Sequence, residues 1–178
     1  MAKSGPVIMW FRQDLRLRDN PALREAAKTG RPVISIYILD DDSAGEWRMG
    51  EASRWWLHRS LAALDADLDG KLNLFRGKAD EVLDELVADE NISAVFWNRC
   101  YETWRRKRDR AIRDSLLDRD VDVSISNGSL LFQPQSVTKD DGTPYKVFTP
   151  FYKRGCLENG EPPRKPLRRR TPDDLQRS

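Results

Sequence analysis

Val7-Ile8-Met9-Trp10-Phe11 runs into Arg12-Gln13-Asp14-Leu15-Arg16-Leu17-Arg18-Asp19-Asn20, and then into Pro21-Ala22-Leu23. The unbroken apolar run reads as a buried strand. A helix starts behind it, with Asn20 as N-cap and Pro21 at the first helical position. The linking loop alternates in charge. Charged side chains packed between a buried strand and a helix are costly unless they pair with each other or with a ligand. Arg12, Asp14, Arg16 and Asp19 therefore admit two readings, as loop ion pairs or as ligand contacts.

Outward from this passage the same rhythm repeats. A helix over about 21–29 closes at Gly30 as a C′ residue, and Val33 to Leu39 forms a second strand. A helix over about 51–69 carries Trp55, Leu57, Leu61, Leu64 and Leu68 at helical spacing and stops at Gly70. Strand 72–76, helix 79–89, strand 94–97, helix 103–118 and strand 121–125 follow. Strands alternating with helices mean βαβ units with right-handed crossovers. The expected fold is α/β: a five-stranded parallel sheet of Rossmann-like order 3-2-1-4-5 with helices on both faces.

After Asn127-Gly128 the pattern becomes irregular, with a turn at 141–144 and a short helix expected near Thr149-Pro150. From Glu158 on, the chain is rich in proline and arginine and nearly free of apolar residues, so it reads as a linker. The expected organisation is one domain over 6–155 and a basic linker over 156–178.

Composition narrows the chemistry. The chain has 178 residues, enough for one domain with a real core, and is 39% hydrophobic and 34% charged. No apolar run approaches the ~18 residues of a membrane span, and the N-terminus lacks an apolar signal core, so a cytoplasmic location is expected. Cys100 and Cys156 read as free thiols. His58 is the only histidine, which excludes a multi-histidine metal site; its place in mid-helix, with no triad partner, marks it as structural. Residues 153–178 carry eight basic and four acidic groups against a whole-chain net charge of +2, so the body sums to −2 and is no nucleic-acid platform. The arginines of helix 103–118 are interleaved with Asp109, Asp114 and Asp118 and read as a self-paired, solvated face.

No GxGxxG is present, and Gly45 to Gly50 leads into Glu51-Ala52 rather than the Lys-Ser/Thr of a P-loop. A dehydrogenase or NTPase loses its best support. In an open parallel sheet the ligand crevice lies beyond the carboxyl ends of the strands, where the strand order reverses, here between the first and fourth. That region gathers Arg12, Gln13 and Asp14 on one side and Asn98 to Glu102 with Trp104 on the other. Leu39 and Asp40 join from the second strand, and Met49 closes the rim. Aromatic, sulfur and charged groups together suit a flat, conjugated, hydrogen-bonding ligand.

Four blocks also carry a family pattern: Trp10-Phe11-Arg12 through Leu23; Gly50-Glu51-Ala52-Ser53-Arg54-Trp55-Trp56-Leu57-His58-Arg59-Ser60-Leu61; Trp97-Asn98-Arg99-Cys100-Tyr101-Glu102 with Arg108-Asp109; and Asn127-Gly128-Ser129-Leu130-Leu131-Phe132 through Tyr145-Lys146-Val147-Phe148-Thr149-Pro150-Phe151. In this order they resemble the N-terminal α/β domain of class I photolyases and cryptochromes, over roughly residues 6–155. The resemblance implies an antenna pigment, a deazaflavin or methenyltetrahydrofolate, held by Arg12, Asp40, Met49, Cys100, Glu102 and Trp104. It implies FAD in a C-terminal helical domain that also binds UV-damaged DNA and splits pyrimidine dimers. Without that half the polypeptide alone is not expected to repair DNA. Thr103 stands where the family often has Pro, and Trp104 and Arg105 occupy a stretch where some folate binders carry Asn and Glu. A deazaflavin, a differently held folate, a flavin or no antenna therefore stay open. The resemblance also implies that segment 145–152 packs on the FAD domain, so its exposed aromatics would promote self-association. The alternatives are a cryptochrome-type light sensor and a stand-alone nucleotide-binding module.

Overall fold

A computed structural model describes residues 4–168 and 175–176. Strands β1 (Val7–Phe11), β2 (Val33–Leu39), β3 (Asn73–Arg76), β4 (Ala94–Asn98) and β5 (Asp122–Ser126) alternate with helices α1 (Pro21–Lys28), α2 (Glu51–Asp67), α3 (Ala79–Asp89) and α4 (Thr103–Asp118). All pairings are parallel and the order is β3-β2-β1-β4-β5. β1 lies at the centre, paired with β2 through Val7–Val33 and Trp10–Ile36, and with β4 through Val7–Ala94 and Trp10–Trp97.

Strand periodicity deals side chains to two cores. Val7, Met9, Phe11, Val33, Tyr37, Ala94 and Phe96 face α1 and α2, where Leu23, Ala26, Leu64 and Leu68 meet them. Ile8, Trp10, Ile34, Ile36, Ile38, Val95 and Trp97 face α3 and α4, against Leu83, Ile112 and Leu116. Both faces of β1 are covered, which is why its sequence is apolar throughout rather than alternating. α1 begins as its sequence dictates: the Asn20 side chain accepts the Leu23 N–H at 3.1 Å, and Pro21 opens the first turn.

Trp55 departs from expectation. It is 59% exposed and Trp56 is 68% exposed, while Leu57, Leu61, Leu64 and Leu68 alone make the packed stripe of α2.

Two compact units are present. One holds the chain up to Gly128 together with the stretch from Leu167 on; the other holds Ser129–Pro166. The division thus falls at 128 and 166, whereas the sequence suggested a boundary at 155. The first unit keeps part of the expected linker. Leu167 N–H donates to Asp19 Oδ1 at 3.0 Å and Asp19 N–H to the Leu167 carbonyl at 3.3 Å. A two-residue strand β6 (Leu175–Gln176) pairs with Val33 and Ile34 of β2. Backbone pairing needs no apolar side chain, so composition did not reveal it. The rest of the basic tail, 169–174 and 177–178, lies outside the described residues.

The second unit contains a short 3-10 turn (Pro134–Ser136), a helical turn (Phe148–Pro150) and a π-helix (Phe151–Glu158). Val137 and Cys156 are its buried side chains, and a Cβ on Gly155 would meet Val137 Cγ1 at 2.6 Å, so only glycine fits there. No helix among the described residues is long and apolar enough to cross a membrane.

Candidate functional site

The charged loop after β1 resolves into a buried polar network. Arg12 is 5% exposed. Its Nη1 donates to Asp109 Oδ2 at 2.5 Å and its Nη2 to the Asn98 carbonyl, while its backbone N–H donates to Asp14 Oδ1 at 3.0 Å. Asp14 Oδ2 also accepts Asn20 Nδ2 at 3.2 Å and Asn98 Nδ2. Asn98 reaches Asn20 Oδ1 at 2.7 Å and accepts the Ala22 N–H at 3.2 Å. Arg16 Nη2 donates to the carbonyls of Asp19 and Gly128, at 3.1 and 2.6 Å. The loop-pairing reading of Arg12, Asp14 and Arg16 is therefore what the structure contains.

This network ties the end of β1 to the end of β4, through Arg12 to the Asn98 carbonyl and Asn98 Nδ2 to Asp14. Buried carboxylates had to be paired, and Arg12, Asn20 and Asn98 are the groups that pair them. Beside it, open space is lined from the ends of β1 and β2 and the first turns of α4. A small cavity of about 30 Å³ is lined by Arg12, Tyr37, Asp40, Met49, Trp104, Arg105 and Arg108, among others. A wider cleft of about 740 Å³ shares Arg12, Tyr37, Met49 and Arg105 with it and extends along α2 to Ser53, Trp56 and Ser60.

Guanidinium groups and indole rings alternate across the small cavity. Arg105 lies 4.7 Å from the Trp104 ring centre, Arg108 lies 5.1 Å from Trp104 and 5.2 Å from Trp10, and Arg12 lies 4.9 Å from Trp10. Cation–π contacts of this kind are worth about 2 kcal/mol or more when desolvated. α4 supplies three of the members because positions 104, 105 and 108 fall on adjoining faces of its first turns. Three residues of this wall each carry a buried donor that finds no hydrogen-bond acceptor among the described residues: Trp10 Nε1, Arg12 Nε and Arg105 Nε. Arg105 Nε has only an ion-pair contact with Glu102 Oε1, at 3.6 Å.

Asp40 is a support for this arrangement. Its Oδ2 accepts Arg108 Nη1 at 2.9 Å and the Ala79 N–H at 3.2 Å, and its Oδ1 accepts the Ser43 N–H at 2.9 Å. Burial works to raise the Asp40 carboxyl, but the Ser43, Arg108 and Ala79 donors outweigh it and hold it below its ordinary value. Burial likewise works against the charge on Glu102, which its own backbone N–H, the Gln13 amide and Arg105 hold below the ordinary value. Burial pushes the Tyr37 hydroxyl up, so it lines the cleft as a neutral group.

Of the six expected contacts, Arg12 and Met49 line both cavities and Asp40 and Trp104 line the smaller one. Cys100 is buried in the wall of a separate cavity across α4, and burial raises its thiol. Glu102 lines none of the three; it accepts Gln13 Nε2 at 2.6 Å at the start of α4. Trp10, Tyr37, Arg105 and Arg108 were not foreseen. The signal for the two arginines was their i, i+3 spacing beside Trp104 in the first turns of α4. His58 is exposed, and no group of residues able to hold a metal occurs among the described residues.

Fold and cleft define a class: a doubly wound α/β domain that lacks a phosphate loop and presents an arginine–tryptophan cleft at the carboxyl end of its sheet. Residues 7–168 match the DNA photolyase family, so the chain belongs to the photolyase/cryptochrome family and corresponds to its N-terminal α/β domain. The deoxyribodipyrimidine photo-lyase of Agrobacterium fabrum is 41% identical over 167 residues, covering 92% of this chain and 34% of that protein. Cryptochrome-1 of Arabidopsis thaliana is 36% identical over 167 residues, covering 92% and 24%. The crystal structure of a class III photolyase from Agrobacterium tumefaciens superposes with a TM-score of 0.85 at 36% identity, over all of this chain and 36% of that one. The chain thus spans about a third or less of the length of these relatives.

Proposed function

We propose that this domain holds a planar, light-absorbing antenna pigment in the cleft beside β1, β2 and α4, and serves a photolyase that repairs pyrimidine dimers in DNA. The observation that carries this reading is the cleft of about 740 Å³, large enough for a fused-ring pigment, whose wall includes Tyr37, Met49 and two arginines, Arg12 and Arg105, each with a buried Nε–H that finds no acceptor among the described residues. Such donors fit the carbonyl and ring-nitrogen acceptors of a deazaflavin or a methenyltetrahydrofolate, and the absence of a glycine-rich loop argues against a nucleotide phosphate there.

A pigment bound here would supply absorption of near-ultraviolet or blue light. The chain's own residues bind and orient it. Trp104 offers a ring face, Arg12 and Arg105 offer donors, and Met49 gives a polarizable, adaptable wall. Asp40 and Asp109 act at one remove, holding Arg108 and Arg12 in place.

FAD and the contacts with damaged DNA belong, on this reading, to the part of the full-length relatives that this chain does not span. The exposed aromatics of the second unit, Phe148 and Tyr152 above all, are the surface that such a part would cover. The Arabidopsis relative supports a second reading, a cryptochrome-type photoreceptor with the same domain.

The test is direct. The chain is mixed with each pigment and passed through gel filtration. Pigment absorption eluting with the protein supports the proposal, and protein eluting free of both pigments contradicts it.

A further inference from the structure

On the β5 side of α4 lies a third cavity, of about 170 Å³, that shares no lining residue with the pigment cleft. Arg106, Arg110 and Arg113 line it at i, i+4 and i+7, one stripe of the helix, and half-buried Arg99 meets them from the end of β4. Like charges at this spacing destabilise a helix. Expectation was that neighbouring carboxylates would neutralise them. Arg113 does have Asp114 Oδ1 at 2.7 Å. Arg99, Arg106 and Arg110 have no ion pair among the described residues, although Arg105, Arg108 and Arg119 on the other faces of α4 and at its end all do. Asp109, the one carboxylate in the wall, is already held by Arg12 and Arg108.

A second observation points the same way. Trp97 lies in the wall of this cavity, is wholly buried, and its Nε1–H finds no acceptor among the described residues. A buried indole N–H without a partner asks for an acceptor. The cavity has room for roughly five waters at about 30 Å³ each. That accommodates one tetrahedral oxyanion and its hydration, and not a buried nucleoside.

From the unpaired arginines that line one small cavity, backed by a buried indole without an acceptor, we propose that Arg99, Arg106 and Arg110 form a binding site for a single phosphate group, separate from the pigment cleft, with Trp97 in the wall behind them. Guanidinium forks match phosphate oxygens in geometry and charge. The phosphate is free or the terminus of a small phosphomonoester. A duplex backbone is disfavoured, because residues 1–152 sum to −2 and offer no basic track.

The test follows the six indole N–H signals by nitrogen–proton NMR, Trp97 being assigned through Trp97→Phe. Inorganic phosphate, adenosine monophosphate and a short DNA duplex are titrated at constant ionic strength, with chloride as control. The expected result is a saturable shift of the Trp97 signal with phosphate, weakened at least tenfold by the exposed double variant Arg106→Gln/Arg110→Gln. Equal affinity for the two small ligands identifies free phosphate as sufficient, and tighter binding of the monophosphate identifies an ester; both support the site. A Trp97 signal that moves no more with phosphate than with chloride, that responds to the duplex alone, or that is unaffected by the double variant overturns it. Melting in phosphate-free buffer is a second readout, and the double variant is expected to melt no lower than the parent.

Discussion

Arg12 has three acceptors: the Asp109 carboxylate, the Asn98 carbonyl and, through its backbone N–H, the Asp14 carboxylate. Replacing it with methionine keeps the bulk and leaves Asp109 buried with Arg108 as its remaining partner. Breaking one side of a buried ion pair costs about 3–5 kcal/mol. Arg12→Met should therefore lower the urea unfolding midpoint by the equivalent of about 3 kcal/mol, and an unchanged midpoint would show the network to be dispensable. Asp40 gives a pH dependence. Its carboxyl titrates below its ordinary value of 3.8 in the folded state, so its stabilisation is complete above pH 3.8 and is lost as the pH falls through the folded value. Urea midpoints measured below pH 4 should fall, and Asp40→Asn should flatten that fall. At this scale the sequence was half legible. The charged run announced a polar cluster, but which member would pair inward and which would face the cleft depends on Asn98 and Asp109, which arrive from far along the chain.

The elements were legible almost to the residue, because β1, β2 and β4 are buried on both faces and the caps at Asn20 and Gly30 are local chemistry. α2 shows where spacing was misapplied. Leu57, Leu61, Leu64 and Leu68 form a stripe, and Trp55, two residues before Leu57, lies roughly 200° around the helix from it at 100° per residue. Trp55→Gln should change stability by less than about 0.5 kcal/mol, whereas Leu64→Ala should cost about 2–5 kcal/mol, both read from denaturant unfolding. Similar costs for the two would mean that the stripe is drawn wrongly. α4 was read as one solvated face. It has three faces: an apolar one through Ile112 and Leu116, one toward the cleft and one toward the arginine cavity.

For the whole molecule, the parallel sheet was available from the alternation of elements and the crossover rule, while its order came with the Rossmann-like expectation; that order places arginine and tryptophan side chains at the carboxyl end of the sheet. The full lining of the cleft was not available, since Tyr37, Arg105 and Arg108 reach it from β2 and α4 and no local pattern marks them as facing it. The second unit leaves Phe148, Tyr152, Leu131 and Leu157 exposed, with Phe148 and Tyr152 stacked at 5.8 Å. Exposed apolar surface of this kind favours association. Light scattering of the chain should show mass rising with concentration, and the double variant Phe148→Ser/Tyr152→Ser should abolish the rise; a strictly monomeric parent would argue that this surface has no partner to lose.

The account stands most directly on an absorption titration of the chain with deazaflavin and with methenyltetrahydrofolate, run beside Trp104→Ala and Arg105→Gln. It predicts a saturable spectral shift for at least one pigment, with affinity at least tenfold weaker in each variant. No shift with either pigment, or variants that bind as well as the parent, would contradict it.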